Sequence, residues 1–167
     1  MLDTTTFLTV VIATLIAGFA GYLIFLQRKN QLAEKAVNNQ NIGLQLQAYE
    51  RLILLSNRIA LPNLISRLNV PGATANDMQD LLLRNIREEF EYNIIQQIYV
   101  SANAWNAIKN LKEQNQLIVN QVAQTLSPEA ASSDLNKSIL TYLMNDQKGQ
   151  LHELVNEVLS IEAKKII

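Results

Sequence analysis

The chain has 167 residues, with 14 basic and 15 acidic side chains, one histidine, no cysteine and a net charge of -1. Near-neutrality excludes the basic stripe of a nucleic-acid binder, and the lack of cysteine excludes a disulfide framework. The five glycines are scattered, so no glycine-rich loop is present to cradle a phosphate.

Residues 4–27 (TTTFLTVVIATLIAGFAGYLIFLQ) carry no charge, and 12 of them are Leu, Ile, Val or Phe. As a helix this segment reaches roughly 36 Å, enough to cross a hydrocarbon core of about 30 Å. Its apolar side chains supply about −4 to −7 kcal/mol towards insertion. A cleaved signal peptide is the competing reading, with Gly18-Phe19-Ala20 as the cleavage site. The start Met1-Leu2-Asp3 lacks a positive region, however, and the apolar run continues past that site, so the segment reads as a retained transmembrane helix. Arg28, Lys29 and Lys35 follow it and no Lys or Arg precedes it. The positive-inside rule then predicts the N-terminus outside and the rest of the chain in the cytoplasm. The lipid bilayer is thus the first expected partner. Ala13, Ala17 and Gly21 recur every four residues and are candidates for close packing with a second helix; ordinary Ala and Gly usage in membrane helices accounts for them equally well.

Charge divides the remainder of the chain. Residues 28–70 hold six basic and two acidic residues, and residues 71–167 hold eight and twelve. This predicts three parts: a transmembrane anchor at 4–27, a basic juxtamembrane helical segment at 28–70 and an acidic helical bundle at 71–167. Arg28, Lys29 and Lys35 are membrane-surface candidates, each contributing about 1 kcal/mol beside anionic headgroups. Simple solvation of helix faces explains the same charges.

Apolar residues at helical spacing, with no bounded run of strict alternation, predict an all-α fold. Leu46, Tyr49, Leu52, Ile53 and Leu55 mark a helix over 43–59 that extends back towards the anchor through 31–41, with Gly43 as the weak point. Pro62 starts a short helix carrying Leu64, Ile65 and Leu68. Val70-Pro71-Gly72 is the clearest turn. Thr74 and Asp77 resemble a capping box opening a helix with the stripe Leu82, Leu83, Ile86, Phe90, Ile94 and Ile98. Ser101 or Asn103 caps the next helix, with Trp105, Ile108, Leu111, Ile118, Val119, Val122 and Leu126 inward and Gln114, Gln116, Gln121 and Gln124 outward; Ser127-Pro128 ends it. Its heptad-like series Ala104, Ile108, Leu111, Asn115, Ile118, Val122 is short, so intramolecular packing outweighs a coiled-coil dimer. Ser133 caps a helix through Leu135, Ile139, Leu140 and Leu143. Gly149 separates it from the last helix, built on Leu151, Leu154, Val155, Val158 and Ile161. These helices are expected to form a cytoplasmic antiparallel bundle.

Chemistry is scarce. His152-Glu153 begins a metalloprotease-like pattern, but Asn156 stands where the second histidine belongs, so no zinc site is predicted and His152 reads as a surface residue. Glu88, Glu89 and Glu91 cluster around Phe90, yet Arg84 and Arg87 stand four residues before Glu88 and Glu91, which predicts a solvated charged face rather than an acid-base or cation site. No catalytic, cofactor-binding or metal-ligating residue is predicted, and the chain reads as a non-enzyme that uses no cofactor.

The segments QAYERLILLSNRIALPNLISRLN (47–69), NIREEFEYNIIQQIYVSANAWNAIKNLK (85–112) and the terminal LSIEAKKII resemble an uncharacterised family of single-pass, membrane-anchored helical proteins of the Bacteroidota. The resemblance implies an anchor-plus-helices layout in a Gram-negative inner membrane and carries no functional residues with it. Two functions are expected on these grounds. The first is a non-catalytic scaffold or accessory subunit of an inner-membrane complex, with a protein partner or self-association through helices and with Tyr49, Tyr92, Tyr99 and Trp105 as partner-surface candidates. The alternative is a membrane-surface or small-ligand sensor.

Overall fold

The computed structural model describes residues 3–68, 70–145 and 151–166, and these are all-helical, with no strand. The elements are α1 (Thr4–Ile59), α2 (Leu61–Leu68), α3 (Ala75–Tyr92), a 3-10 turn (Ile94–Ile98), α4 (Ala102–Ala123), α5 (Ser132–Asn145) and α6 (Leu151–Lys164). The chain forms two compact units, residues 1–43 and 44–167. Residues 44–70, grouped by charge with the juxtamembrane segment, contribute Tyr49, Leu52, Leu55, Leu61 and Leu64 to the core of the second unit. Burial, not charge, draws that boundary.

The first unit is helical from Thr4 onward, and its apolar stretch averages a hydropathy of 2.3 with none of it buried. Among the described residues this is the one helix long and apolar enough to cross a membrane. Helical hydrogen bonding in α1 continues through Gly43, whose missing Cβ would meet nothing within 4 Å.

In the second unit, α1 stops at Ile59 because Pro62 cannot donate the next helical hydrogen bond. The carbonyls left over at that end are satisfied by side chains: Asn63 Nδ2 donates to Asn57 O at 3.0 Å, Arg67 Nη2 to Arg58 O at 3.4 Å, and the buried Asn115 Nδ2 to Ile59 O at 2.8 Å. Thr74 caps α3 as a true capping box. Its hydroxyl accepts from the Asp77 amide at 3.1 Å, and the Asp77 carboxylate accepts from the Thr74 amide at 3.1 Å. The next orphan donors of α3 find partners far away in sequence: Ala75 N bonds Ala130 O at 2.7 Å and Asn76 N bonds Pro128 O at 3.2 Å.

α4 packs against α3, α5 and α6, and α3 packs against α2 and α5. The core between them includes Met78, Leu82, Ile86, Ile108, Leu111, Ile118, Leu135, Ile139 and Leu159, each at about 1.5–3 kcal/mol of apolar burial. Phe90 stacks on Trp105 at 5.2 Å between centroids, and Lys112 Nζ lies 4.6 Å over the Phe90 ring.

Several helix predictions need correction. α3 ends at Tyr92, so Ile94 and Ile98 leave its stripe for the exposed 3-10 turn. Asn93 causes the break: its side chain donates to Glu89 O at 2.9 Å and its amide to Phe90 O at 3.1 Å. On α6 the buried residues are Val155 and Leu159, whereas Leu154 and Ile161 face outward. Gln121 and Gln124 are exposed as expected, but Gln114 and Gln116 are half-buried. Helix α5 begins at Ser132 instead of following a cap at Ser133. The break expected at Gly149 lies outside the described residues.

Candidate functional site

Beside the buried core, α1 and α3 leave an open groove of about 660 Å³, lined by Arg51, Leu54, Leu55 and Arg58 from α1 and by Asn85, Glu88, Glu89, Tyr92 and Asn93 from α3 and its end. An ion pair lies in its lining. Arg58 approaches Glu89 with Nη2 at 2.5 Å and Nε at 2.7 Å from the same Oε1, and Arg67 Nη2 stands 3.6 Å from it. Hydrogen bonding to Glu89, reinforced by its charge, holds the Arg58 guanidinium more firmly protonated than usual. Glu89 therefore draws its partners from α1 and α2. The pairs expected within α3, Arg84–Glu88 and Arg87–Glu91, do not close.

The groove opens onto an apolar surface. Tyr92 is 76% exposed, Ile94 47%, Ile95 61% and Ile98 65%, and Leu54 on the facing helix is exposed as well. Over residues 92–100 the sequence YNIIQQIYV carries no charge. Ending α3 at Asn93 is what produces this surface, because a continued helix would have turned Ile94 and Ile98 onto the stripe that Phe90 buries. The 3-10 turn presents them to solvent instead.

A second polar cluster fastens α6. Tyr49 Oη donates to Glu162 Oε2 at 2.9 Å and accepts the Ser101 amide at 3.2 Å, while the Ser101 hydroxyl donates to the same carboxylate oxygen and caps α4 by accepting Ala104 N at 3.0 Å. Burial, with the neighbouring carboxylate, pushes the Tyr49 phenol above its ordinary range. Every hydroxyl here is committed to holding α1, α4 and α6 together, so the cluster is structural.

The chain belongs to a protein family of unknown function, DUF7935, whose pattern matches residues 2–166. The match takes in both the apolar helix and the α1–α3 groove. No curated protein and no solved structure matches the chain.

The residues singled out in sequence fall in different places. Ala13, Ala17 and Gly21 are exposed on α1, as are Arg28, Lys29 and Lys35. Of the four aromatics expected on a partner surface, Tyr92 alone is fully exposed; Tyr99 is half-buried, Trp105 packs on the core, and Tyr49 is 3% exposed inside it. Amphipathic spacing put Tyr49 on an inward stripe from the start, and its phenol supplies the polar end of that stripe. The sequence reading missed Leu54, Ile95 and the outward turn of Ile94 and Ile98. Its available signal was Asn93, a weak helix former two residues after the last of three acids, Glu88, Glu89 and Glu91. His152 is half-buried, and its backbone carbonyl accepts Ser56 Oγ at 3.3 Å. Asn156 donates to Asn57 Oδ1 at 2.8 Å. Among the described residues no three His, Asp or Glu side chains gather to hold a metal ion.

Proposed function

We propose that this protein is a non-catalytic, membrane-anchored scaffold or accessory subunit of a bacterial inner-membrane complex, with its N-terminus outside and an antiparallel helical bundle in the cytoplasm. The observation that carries this reading is the set of exposed apolar side chains Tyr92, Ile94, Ile95 and Ile98, on an uncharged segment beside the α1–α3 groove. It is the kind of surface that a partner covers. Leu54, Tyr92, Ile95 and Ile98 would form the apolar centre of the contact, with Arg51 and Glu88 on its polar rim. The unburied apolar stretch of α1 supports the anchor, and Arg28, Lys29 and Lys35 after it support the orientation.

The test is a C-terminal tag, gentle solubilisation, crosslinking and mass spectrometry. A stoichiometric foreign protein crosslinked to residues 85–112 is expected. Recovery of the chain without such a partner would overturn the accessory-subunit reading.

A small-ligand sensor is the second reading, supported by an open groove of about 940 Å³ between α4 and α5. Among the described residues, Lys137 and the hydroxyls of Thr125, Ser138, Thr141 and Tyr142 line it, together with the amides of Gln121 and Asn145. That lining suits a polar anion. Phosphate or a small carboxylic acid that raises the melting temperature of the wild type and leaves that of Lys137→Met unmoved would favour it; no shift in either would set it aside.

A further inference from the structure

From Gln27 to Asn41 every described side chain of α1 is exposed, including Leu32 at 68% and Val37 at 59%. Helices in water draw most of their stability from packing, which this stretch of α1 lacks among the described residues, and Asn30, Asn38, Asn39 and Asn41 weaken it further. Such a stretch needs a partner helix.

The sequence contains the repeat such a partner reads. Leu26, Asn30, Ala33, Val37 and Gln40 alternate spacings of four and three, and Leu44 is next. Lys29 and Glu34 flank this seam, Arg28 and Lys35 fall on the outer face, and none lies within it. Placing Asn30 and Val37 at a positions puts Lys29 at g and Glu34 at the e position five residues on, which is the spacing of an interchain ion pair in a parallel coiled coil. Two copies in register thus match Lys29 of each with Glu34 of the other. Val37 at a and Leu26 at d are the residue types of two-stranded coils, and a single asparagine at a, Asn30, fixes register. The competing seam through Leu32, Asn39 and Gly43 places Lys29 inside it and glycine at a core position, and pairs no opposite charges.

We infer that a second copy of this chain is the partner, joined through a parallel, in-register coiled coil that starts at Leu26 and runs past Val37. The inference rests on the membrane anchoring proposed above, because anchors sharing one bilayer supply the effective concentration that so short a seam requires. Ala13, Ala17 and Gly21 lie on the opposite side of the helix from Val37 at 3.6 residues per turn. Self-association therefore leaves that small-residue face open to a different helix.

The natural absence of cysteine makes the test direct. Full-length chains carrying Val37→Cys, Leu32→Cys or Asn38→Cys are expressed, their membranes washed with alkaline carbonate, and the thiols oxidised. The chain is expected in the membrane pellet, with a disulfide dimer for Val37→Cys and little for the other two. In the Val37→Cys background, Lys29→Glu and Glu34→Lys should each lower the dimer yield about two- to thirtyfold, the range of two exposed ion pairs, and the double reversal should restore it. Triple Leu replacement of Ala13, Ala17 and Gly21 should leave the yield unchanged. Loss from the pellet would overturn the anchoring itself. Retention in the pellet with equal crosslinking at 32, 37 and 38, with stronger crosslinking at 32, or with no rescue by the double reversal would overturn the coiled coil alone.

Discussion

Asn115 is one position in a helical stripe, yet it completes the end of another helix. Pro62 strips the last turn of α1 of a donor, and of the three side chains that compensate, Asn115 is the buried one at 6% exposure. Asn115→Ala leaves Ile59 O buried without a partner and should cost about 1–3 kcal/mol, whereas Asn63→Ala, whose carbonyl partner water can replace, should stay within about 0.5 kcal/mol. Thermal melts of the detergent-solubilised full chain followed by circular dichroism would show the difference. Thr74 makes the contrasting local case. Hydrogen bonds from its hydroxyl and then its amide hold the Asp77 carboxyl below its usual range. A carboxyl pKa depressed by folding stabilises fully above the unfolded-state value and loses that contribution as pH falls through the folded one. Asp77→Asn should therefore melt below wild type at neutral pH and converge with it in acid; a gap that persists at low pH would refute the charged cap. The capping box was legible in sequence because both partners lie three residues apart. The Asn115 contact joins residues 56 apart, so no local spacing announces it.

Helices begin and end here by two kinds of rule, and the glycines separate them. Gly43 sits inside α1 with open space where a Cβ would point, so Gly43→Ala should stabilise the helix by about 1 kcal/mol. Gly72 has a φ of 81° in the turn before α3, so Gly72→Ala, although it meets no clash, should cost about 1–2 kcal/mol. The same substitution thus moves the melting temperature in opposite directions, and equal effects would contradict both assignments. The turn at Val70-Pro71-Gly72 was readable because proline and glycine restrict the backbone wherever they occur. The end of α3 was not. The apolar period of 3.6 runs on through Ile94 and Ile98, and only the backbone hydrogen bonds of Asn93 show that the helix has stopped. Periodicity reports which residues would share a face, and it remains silent on whether the helix survives to present them.

On the scale of the whole second unit, the question is which apolar residues serve folding and which serve binding. All-α class and the buried stripes of α2 to α5, up to Phe90 on α3 and beyond Ser101, were legible, since those stripes are amphipathic. Charge, by contrast, grouped residues 44–70 with the wrong neighbours, because net charge describes solvated surface while Tyr49, Leu52 and Leu55 are placed by what they bury. Of the exposed apolar members of the candidate site only Tyr92 was legible, for Ile94 and Ile98 were placed on the α3 stripe and nothing in the spacing singled out Leu54 or Ile95. Leu159 and Ile95 make the division measurable. Leu159 is fully buried on α6, so Leu159→Ala should lower stability by about 2–5 kcal/mol. Ile95 is 61% exposed in the 3-10 turn, so Ile95→Asp should change stability by less than about 0.5 kcal/mol. If the turn is the docking surface, a buried aspartate facing the partner's apolar side chains loses its hydration without compensation, and recovery of the partner should collapse at an unchanged melting temperature. Both quantities are to be measured on one solubilised preparation of each variant. Partner yield that tracks stability across Leu159→Ala and Ile95→Asp alike would mean that the turn contributes to folding only, and the contact would then have to lie on another face of the unit.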